Sequence, residues 1–295
     1  MKVTTRIEIL LRGAYDIHIH CTPDVVPRAQ DLLELAETAH RAGMAGIVVK
    51  DHTTSTVGRA YILNRIYPQG PRFFSSLALN PPVGGLNPLA VEAALREGGD
   101  VIYFPTYSAE HQIAVLGADA FAPAYPRPRE NFVGITILDG NGALKPEVRT
   151  ILSLIAQYDA VLATGHLSPR ESLALLGAAQ GAGVRRMIVN HASDSVPGMS
   201  IPQQAEAVAC GAFIEHCLRV ATAHIPLETI RDQIRGVGVH GAIISSDFGQ
   251  VANGPIVAGF ARYLDALRQL GFTDDEVHTM IAENPRKLLT QRSPR

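Results

Sequence analysis

The chain has no tryptophan, and 8 tyrosines and 9 phenylalanines are few for 295 residues. That leaves little with which to build a platform for stacked bases. A basic excess is missing too. The 26 Lys and Arg against 28 Asp and Glu give a net charge of −2, so a phosphate backbone finds no electrostatic partner. No stretch approaches the roughly 20 apolar residues of a membrane helix. The apolar run at 7–11 is short, is broken by Glu8 and meets Arg12, so it reads neither as a span nor as the core of a signal peptide. Cysteine is scarce. Cys21, Cys210 and Cys217 form an odd set without framework spacing, which points to a reducing cytoplasm.

What is present is a hydrophobic content of 46% with 18% charged residues, the composition of a well-cored globular protein. Short runs rich in Val, Ile and Ala alternate with amphipathic stretches at helical spacing. Strands are expected over 15–20, 46–50, 73–80, 101–105, 160–164, 186–190, 212–216 and 241–246. Eight strand–helix units match the order and length of a (β/α)₈ barrel in one domain spanning 1–295. An open doubly wound sheet is the competing architecture, but its Gly-rich phosphate loop after the first strand is absent. The chain has His20-Cys21-Thr22-Pro23-Asp24 there instead. The rhythm breaks once, at an insertion over 107–143. It holds a Pro/Arg-rich loop with Arg127 and Arg129, then a β-hairpin running from Phe132 to Leu138 and turning at Asp139-Gly140-Asn141-Gly142. A helical cap over 273–289 closes the chain.

Histidines crowd the expected strand ends. His18 and His20 alternate on the first strand and therefore share a face. His52 follows the second strand, His166 the fifth and His191 the sixth, while His216 lies on the seventh and Asp247 closes the eighth. In a barrel these positions converge on the C-terminal rim, where active sites lie. Neutral imidazoles hold a divalent ion while leaving a position open for water, whose pKa falls toward ~7. A carboxylate beside them can take a proton from that water and pass it to a leaving group. Asp247 suits that task, and either His166 or His191 could instead polarise a substrate carbonyl.

His-x-His on the first strand, His after the fifth and sixth, and Asp after the eighth together resemble the amidohydrolase superfamily of metal-dependent hydrolases. The segments Gly84-Gly85-Leu86-Asn87-Pro88 and Ala163-Thr164-Gly165-His166-Leu167-Ser168 resemble an uncharacterised branch of it. The resemblance implies hydrolysis at a carbonyl or phosphoryl centre. His18, His20, His166, His191 and Asp247 would form the metal site, and Asp247 would also shuttle the proton. Zn²⁺ is the expected ion, with Mn²⁺ or Fe²⁺ as alternatives, bound as one ion or two. One departure stands out. Binuclear members carry a bridging carboxylated Lys, or a Glu, at the end of the fourth strand, where this chain reads Tyr103-Phe104-Pro105. Lys50 on the second strand is the candidate replacement, either as a carbamate or as a cation that meets an anionic substrate.

Lys50, His52, His111 and His216 are therefore candidates for substrate or a second ion. Glu215 and His216 point to opposite faces, so only one of them lines the interior. Cys21 reads as a packed thiol. Arg28, Arg127 and Arg129 are candidates to grip a carboxylate, and Asn80 and Asn87 to cap the loop after the third strand. The expected substrate is a small amide, cyclic amide or lactone. A decarboxylase, a phosphoesterase and a non-catalytic metal-binding barrel are the alternatives. A homo-oligomer is expected, with no nucleic acid and no membrane as partner.

Overall fold

The computed structural model describes residues 9–117, 133–218 and 225–290. Its strands are short runs buried on both faces, which is what a parallel sheet covered by helices requires. They are β1 (Tyr15–Ile19), β2 (Gly46–Val49), β3 (Arg72–Phe74 and, past Ser75, Ser76–Ala78) and β4 (Val101–Tyr103), followed by β5 (Val161–Ala163), β6 (Met187–Val189), β7 (Ala212–Cys217) and β8 (Ala242–Ser245). Each pairs in parallel with its neighbour in sequence, the first half of β3 with β2 and its second half with β4. The two ends then meet. Asp247 N donates to His18 O at 2.9 Å and His20 N to Phe248 O at 2.8 Å, with Ile19 and Phe248 in a parallel bridge. These bonds carry the ladder from β8 back to β1, and the architecture is the expected (β/α)₈ barrel.

Two apolar layers follow from the alternation of side chains. Ile17, Val48, Phe74, Val161, Ile188 and Ile243 fill the interior. Ile47, Val49, Ile102, Leu162, Val189 and Ile244 face outward against the helices. Those helices are α1 (Leu32–Ala42), α2 (Val57–Ile66), α3 (Pro88–Arg96), α4 (Glu110–Leu116), α5 (Pro146–Gln157), α6 (Pro169–Gly181), α7 (Ile201–Ala209), α8 (Leu227–Val237) and α9 (Ile256–Gln269). Helix α1 shows why the sequence folds this way. Leu32, Leu35, Ala36 and Ala39 form one buried stripe, and Asp31 and Glu34 make a capping box at its start. Such a cap stabilises by ~1 kcal/mol. Gly43, at φ 71°, ends the helix in a left-handed turn. Among the described residues, no helix is long and apolar enough to cross a membrane.

The cap expected at 273–289 is α10 (Asp274–His278), a π turn (Thr279–Glu283) and α11 (Asn284–Thr290). Leu288 and Leu289 join the interior layer, and Arg186 Nη1 donates to both their carbonyls at 3.2 Å. In the insertion, Arg127, Arg129 and Phe132 lie outside the described residues. The expected hairpin takes the form of a single antiparallel bridge, Leu138 to Leu144, closed by Asp139 N donating to Ala143 O at 2.8 Å. Among the described residues one further bond crosses the turn, Lys145 N to Ile137 O, and the ladder goes no further because the backbone N–H groups before it are bonded elsewhere: Ile135 N donates to Ser108 O and Ile137 N to Glu171 Oε1.

Candidate metal centre

The site begins with an irregularity in β1. Ile17 packs in the interior layer, whereas Ile19, two residues on, packs outward against the helices. Strict alternation would keep both on one face. The pairing register with β2 shifts between Asp16 and Ile19, which marks a β-bulge. The bulge leaves His18 and His20 directed together at the interior rim, their rings 5.5 Å apart. Asp247 meets both: its Oδ1 is 3.3 Å from His18 Nε2 and 3.3 Å from His20 Nε2. Ligand atoms of these three residues lie within 4.8 Å of one another, and all three are buried.

His166 and His191 complete the cluster. Their rings are 4.8 Å apart, and His191 is 5.8 Å from His18. Both arrive at the ends of short strands through strained or tight backbone. His191 and Asp247 adopt positive φ, 26° and 50°, without being glycine, a conformation kept where surrounding structure enforces it. Gly165 precedes His166 at φ 65°, and a Cβ there would collide with the carbonyls of Phe104 and Pro105.

What organises the cluster is the set of groups behind it. His18 Nδ1 lies 3.1 and 3.2 Å from the two oxygens of Glu215. His166 Nδ1 lies 2.9 Å from Gln112 Oε1, and His191 Nδ1 3.0 Å from Val196 O. The Glu215 carboxylate and the Val196 carbonyl can only accept, and Gln112 turns its Oε1 to His166. Each imidazole therefore carries its proton on Nδ1 and presents the lone pair of Nε2. Burial makes charging these rings costly. It pushes His20 down to about 3 and His166 well below the usual range, and His191 is lowered for the same reason. Burial raises the Glu215 carboxyl, but His18, His191 and Ser245 outweigh it and hold the group at about 2. Four imidazoles and a carboxylate are a donor set that suits a zinc-like divalent ion. Glu215, Gln112 and Val196 were not visible as site residues in the sequence; only the alternation of Glu215 with His216 hinted that one of that pair faces inward.

The remaining candidates divide. Lys50 is buried, two residues past interior Val48, with Nζ 2.9 Å from His18 Nε2 and 4.8 Å from the Tyr103 ring centre. The end of β4, where neither Lys nor Glu stands, thus presents the face of the Tyr103 ring to the Lys50 side chain. His52 stacks on His20 with ring centres 4.7 Å apart. His216 is not brought to the centre: on the opposite face from Glu215, its Nδ1 pairs with Ser193 Oγ at 2.7 Å. His111 is half-buried and pairs with Pro197 O at 3.2 Å, tying α4 to the loop after β6. Arg28 forms a two-point pair with Asp24, 2.8 Å from Nε and 2.7 Å from Nη2. Burial drives the Cys21 thiol up to about 12, consistent with a packed side chain. Asn87 caps α3 through Leu89 N, as expected. Asn80, the other expected cap, makes no capping bond; its side chain instead holds His52 O and the Thr106 backbone. Its amide is recruited there because those groups are buried and need partners.

A closed barrel with His, His, His, His and Asp on its C-terminal rim has the fold of the amidohydrolases. Solved structures bear this out. An amidohydrolase from Pseudomonas aeruginosa superposes with a TM-score of 0.65 at 11% identity, covering 98% of each chain. The probable dipeptidase PvdM from the same organism gives 0.66 at 11% identity over 97% of each chain. A 2,6-dihydroxybenzoate decarboxylase from Rhizobium gives 0.51 at 12% identity, covering 94% of this chain and 98% of that one. The chain itself belongs to the family of unknown function DUF6282, whose model matches residues 13–215. No curated protein matches it in sequence.

Proposed function

We propose that this protein is a metal-dependent hydrolase acting on a small amide, cyclic amide or lactone. The observation that carries the reading is the set of three imidazoles whose Nδ1 protons are tied to acceptors from β7, α4 and the loop after β6. Tying Nδ1 to a partner leaves Nε2 as the ligand atom, and the His18 Nε2 so presented lies 3.3 Å from Asp247 Oδ1 and 2.9 Å from Lys50 Nζ, an arrangement that suits an ion site. His18, His20, His166, His191 and Asp247 would hold it. When bound, such an ion acidifies water and polarises a substrate oxygen.

The chain's own groups supply the rest. Asp247 takes the proton of the attacking water at its carboxylate and returns it to the departing nitrogen or oxygen. Glu215 holds His18 in one tautomer throughout. Lys50, whose Nζ lies over the Tyr103 ring, would meet negative charge on the substrate. Related barrels carry out decarboxylation and phosphoester hydrolysis, and a barrel of this fold need not be catalytic.

Elemental analysis of the purified protein, together with turnover of a panel of amides, cyclic amides, lactones, phosphoesters and aromatic carboxylates, tests the reading. Bound zinc, manganese or iron, lost in His18→Ala, with turnover of an amide or lactone that Asp247→Asn abolishes, supports it. Release of carbon dioxide without water consumption, or a preference for phosphoesters, replaces it. Failure to bind any metal, even on reconstitution, ends it. A metal-loaded protein inert toward the whole panel leaves a binding barrel.

A further inference from the structure

We propose that His52 is a hydrogen-bond donor to the substrate carbonyl oxygen and not a metal ligand, with its proton on Nε2. The proposal rests on the hydrolase reading for its substrate class, but its chemistry is argued from a separate network.

The network starts at Asn80. Its Oδ1 accepts from Thr106 N at 3.0 Å and Ser108 Oγ at 2.5 Å, while its Nδ2 donates to His52 O at 2.9 Å. These partners fix which end of the amide is which. The same Nδ2 then donates to Thr106 Oγ1 at 2.6 Å. The threonine hydroxyl has thus spent a lone pair on Asn80 and still holds its own proton. Among the described residues, one acceptor stands within reach of that proton: His52 Nδ1, at 2.9 Å. The hydroxyl's second lone pair can also take an Nδ1–H, but that leaves its own proton without an acceptor among the described residues, so His52 Nδ1 is assigned as the acceptor and the ring's proton to Nε2. This is the reverse of His18, His166 and His191, whose Nδ1 atoms all face acceptors.

A protonated Nε2 offers no lone pair, so His52 drops out as a ligand for a first or a second ion. It becomes a donor at the rim. The two ring nitrogens diverge, so Nε2 faces away from Thr106. The ring stacks on His20 at 4.7 Å, stands 6.3 Å from His166, and is half-buried where His18, His20 and His191 are buried. Tyr107 locks it further, with ring centres 5.0 Å apart and its hydroxyl donating to His52 O at 3.3 Å. A donor held this rigidly beside an ion site matches an oxygen that gains negative charge as the acyl carbon is attacked. The ligand class is a carbonyl compound bound through that oxygen.

The test uses zinc-loaded protein labelled with ¹⁵N-histidine, in long-range ¹H–¹⁵N correlation spectra, with His52 assigned by its absence in His52→Gln. The expected pattern is Nε2–H for His52, weakened toward a mixture in Thr106→Val, with a shift of the His52 Nε2 signal on addition of acetate. Metal content in His52→Gln is expected to equal that of the parent. With an amide or lactone that the panel shows to be turned over, kcat/KM should fall ~100-fold or more in His52→Phe and recover in part in His52→Gln, which restores a donor. An Nδ1–H pattern, loss of metal in His52→Gln, or a His52 signal indifferent to acetate overturns the proposal. A panel with no turnover counts against the hydrolase reading, while the tautomer, metal content and acetate response still decide the role of His52.

Discussion

Glu215 reaches across the barrel interior to His18, its two oxygens 3.1 and 3.2 Å from Nδ1. The same carboxylate also accepts from Ser245 Oγ at 2.6 Å, Asn190 Nδ2 at 3.0 Å and His191 N at 3.0 Å. One buried acid therefore steers two histidines from opposite sides of the site. Replacing it with Gln, which keeps the shape but lets an NH₂ face the ring, should weaken metal affinity roughly 10–100-fold. Chelator competition against Glu215→Gln measures this. An unchanged affinity would mean that Glu215 only fills space.

The insertion is expected to matter to the metal as well. Gln112, from α4, is 2% exposed and accepts the His166 Nδ1 proton. Gln112→Leu should release His166 to rotate and lower metal retention within the same ~10–100-fold range, and Gln112→Glu should keep it. Equal retention in all three proteins would place α4 outside the site's support.

A pH dependence follows from His216. Burial lowers its pKa from 6.5 to about 4. A histidine depressed in the folded state binds more protons when unfolded, so stability is intact above pH 6.5 and falls as pH drops toward 4. The gap corresponds to about 3 kcal/mol. Urea unfolding of the metal-free protein should show that slope between pH 6.5 and 4, reduced in His216→Asn relative to the parent. Parallel curves for the two proteins would refute the assignment.

Gly249 provides a backbone test. It sits at φ 140°, and a Cβ on it would overlap the His20 carbonyl. Gly249→Ala must displace either the β8 loop or His20, and should cost at least about 2 kcal/mol of stability. Thermal unfolding with and without metal should show the loss in both states. A neutral effect would mean that the loop can move away freely.

Much of this molecule can be read from the chain. The apolar runs mark all eight strands because each is buried on both faces, and the crowding of His18, His20, His166, His191 and Asp247 at strand ends marks the rim. What stays hidden is whatever depends on long-range pairing. His18 and Glu215 are 197 residues apart in sequence, and His166 and Gln112 are 54. No local pattern ties those pairs together. The bulge in β1 is equally silent, since Tyr15 to Ile19 reads as a plain strand. Alternation correctly separates Glu215 from His216 but cannot say which of them faces the site. His52 looks like another ligand until Asn80 and Thr106 are seen to set its proton.

The two hydrogen bonds that close the barrel, Asp247 N to His18 O and His20 N to Phe248 O, involve three of the residues that would gather the proposed ion, His18, His20 and Asp247. Closure of the sheet and assembly of the donor set are therefore one event. A growing chain cannot present the complete set until residues near 248 have been made and the last strand has docked on the first. An ion captured at that moment would join the barrel's first strand to its eighth, so metal loading would report that the sheet has closed.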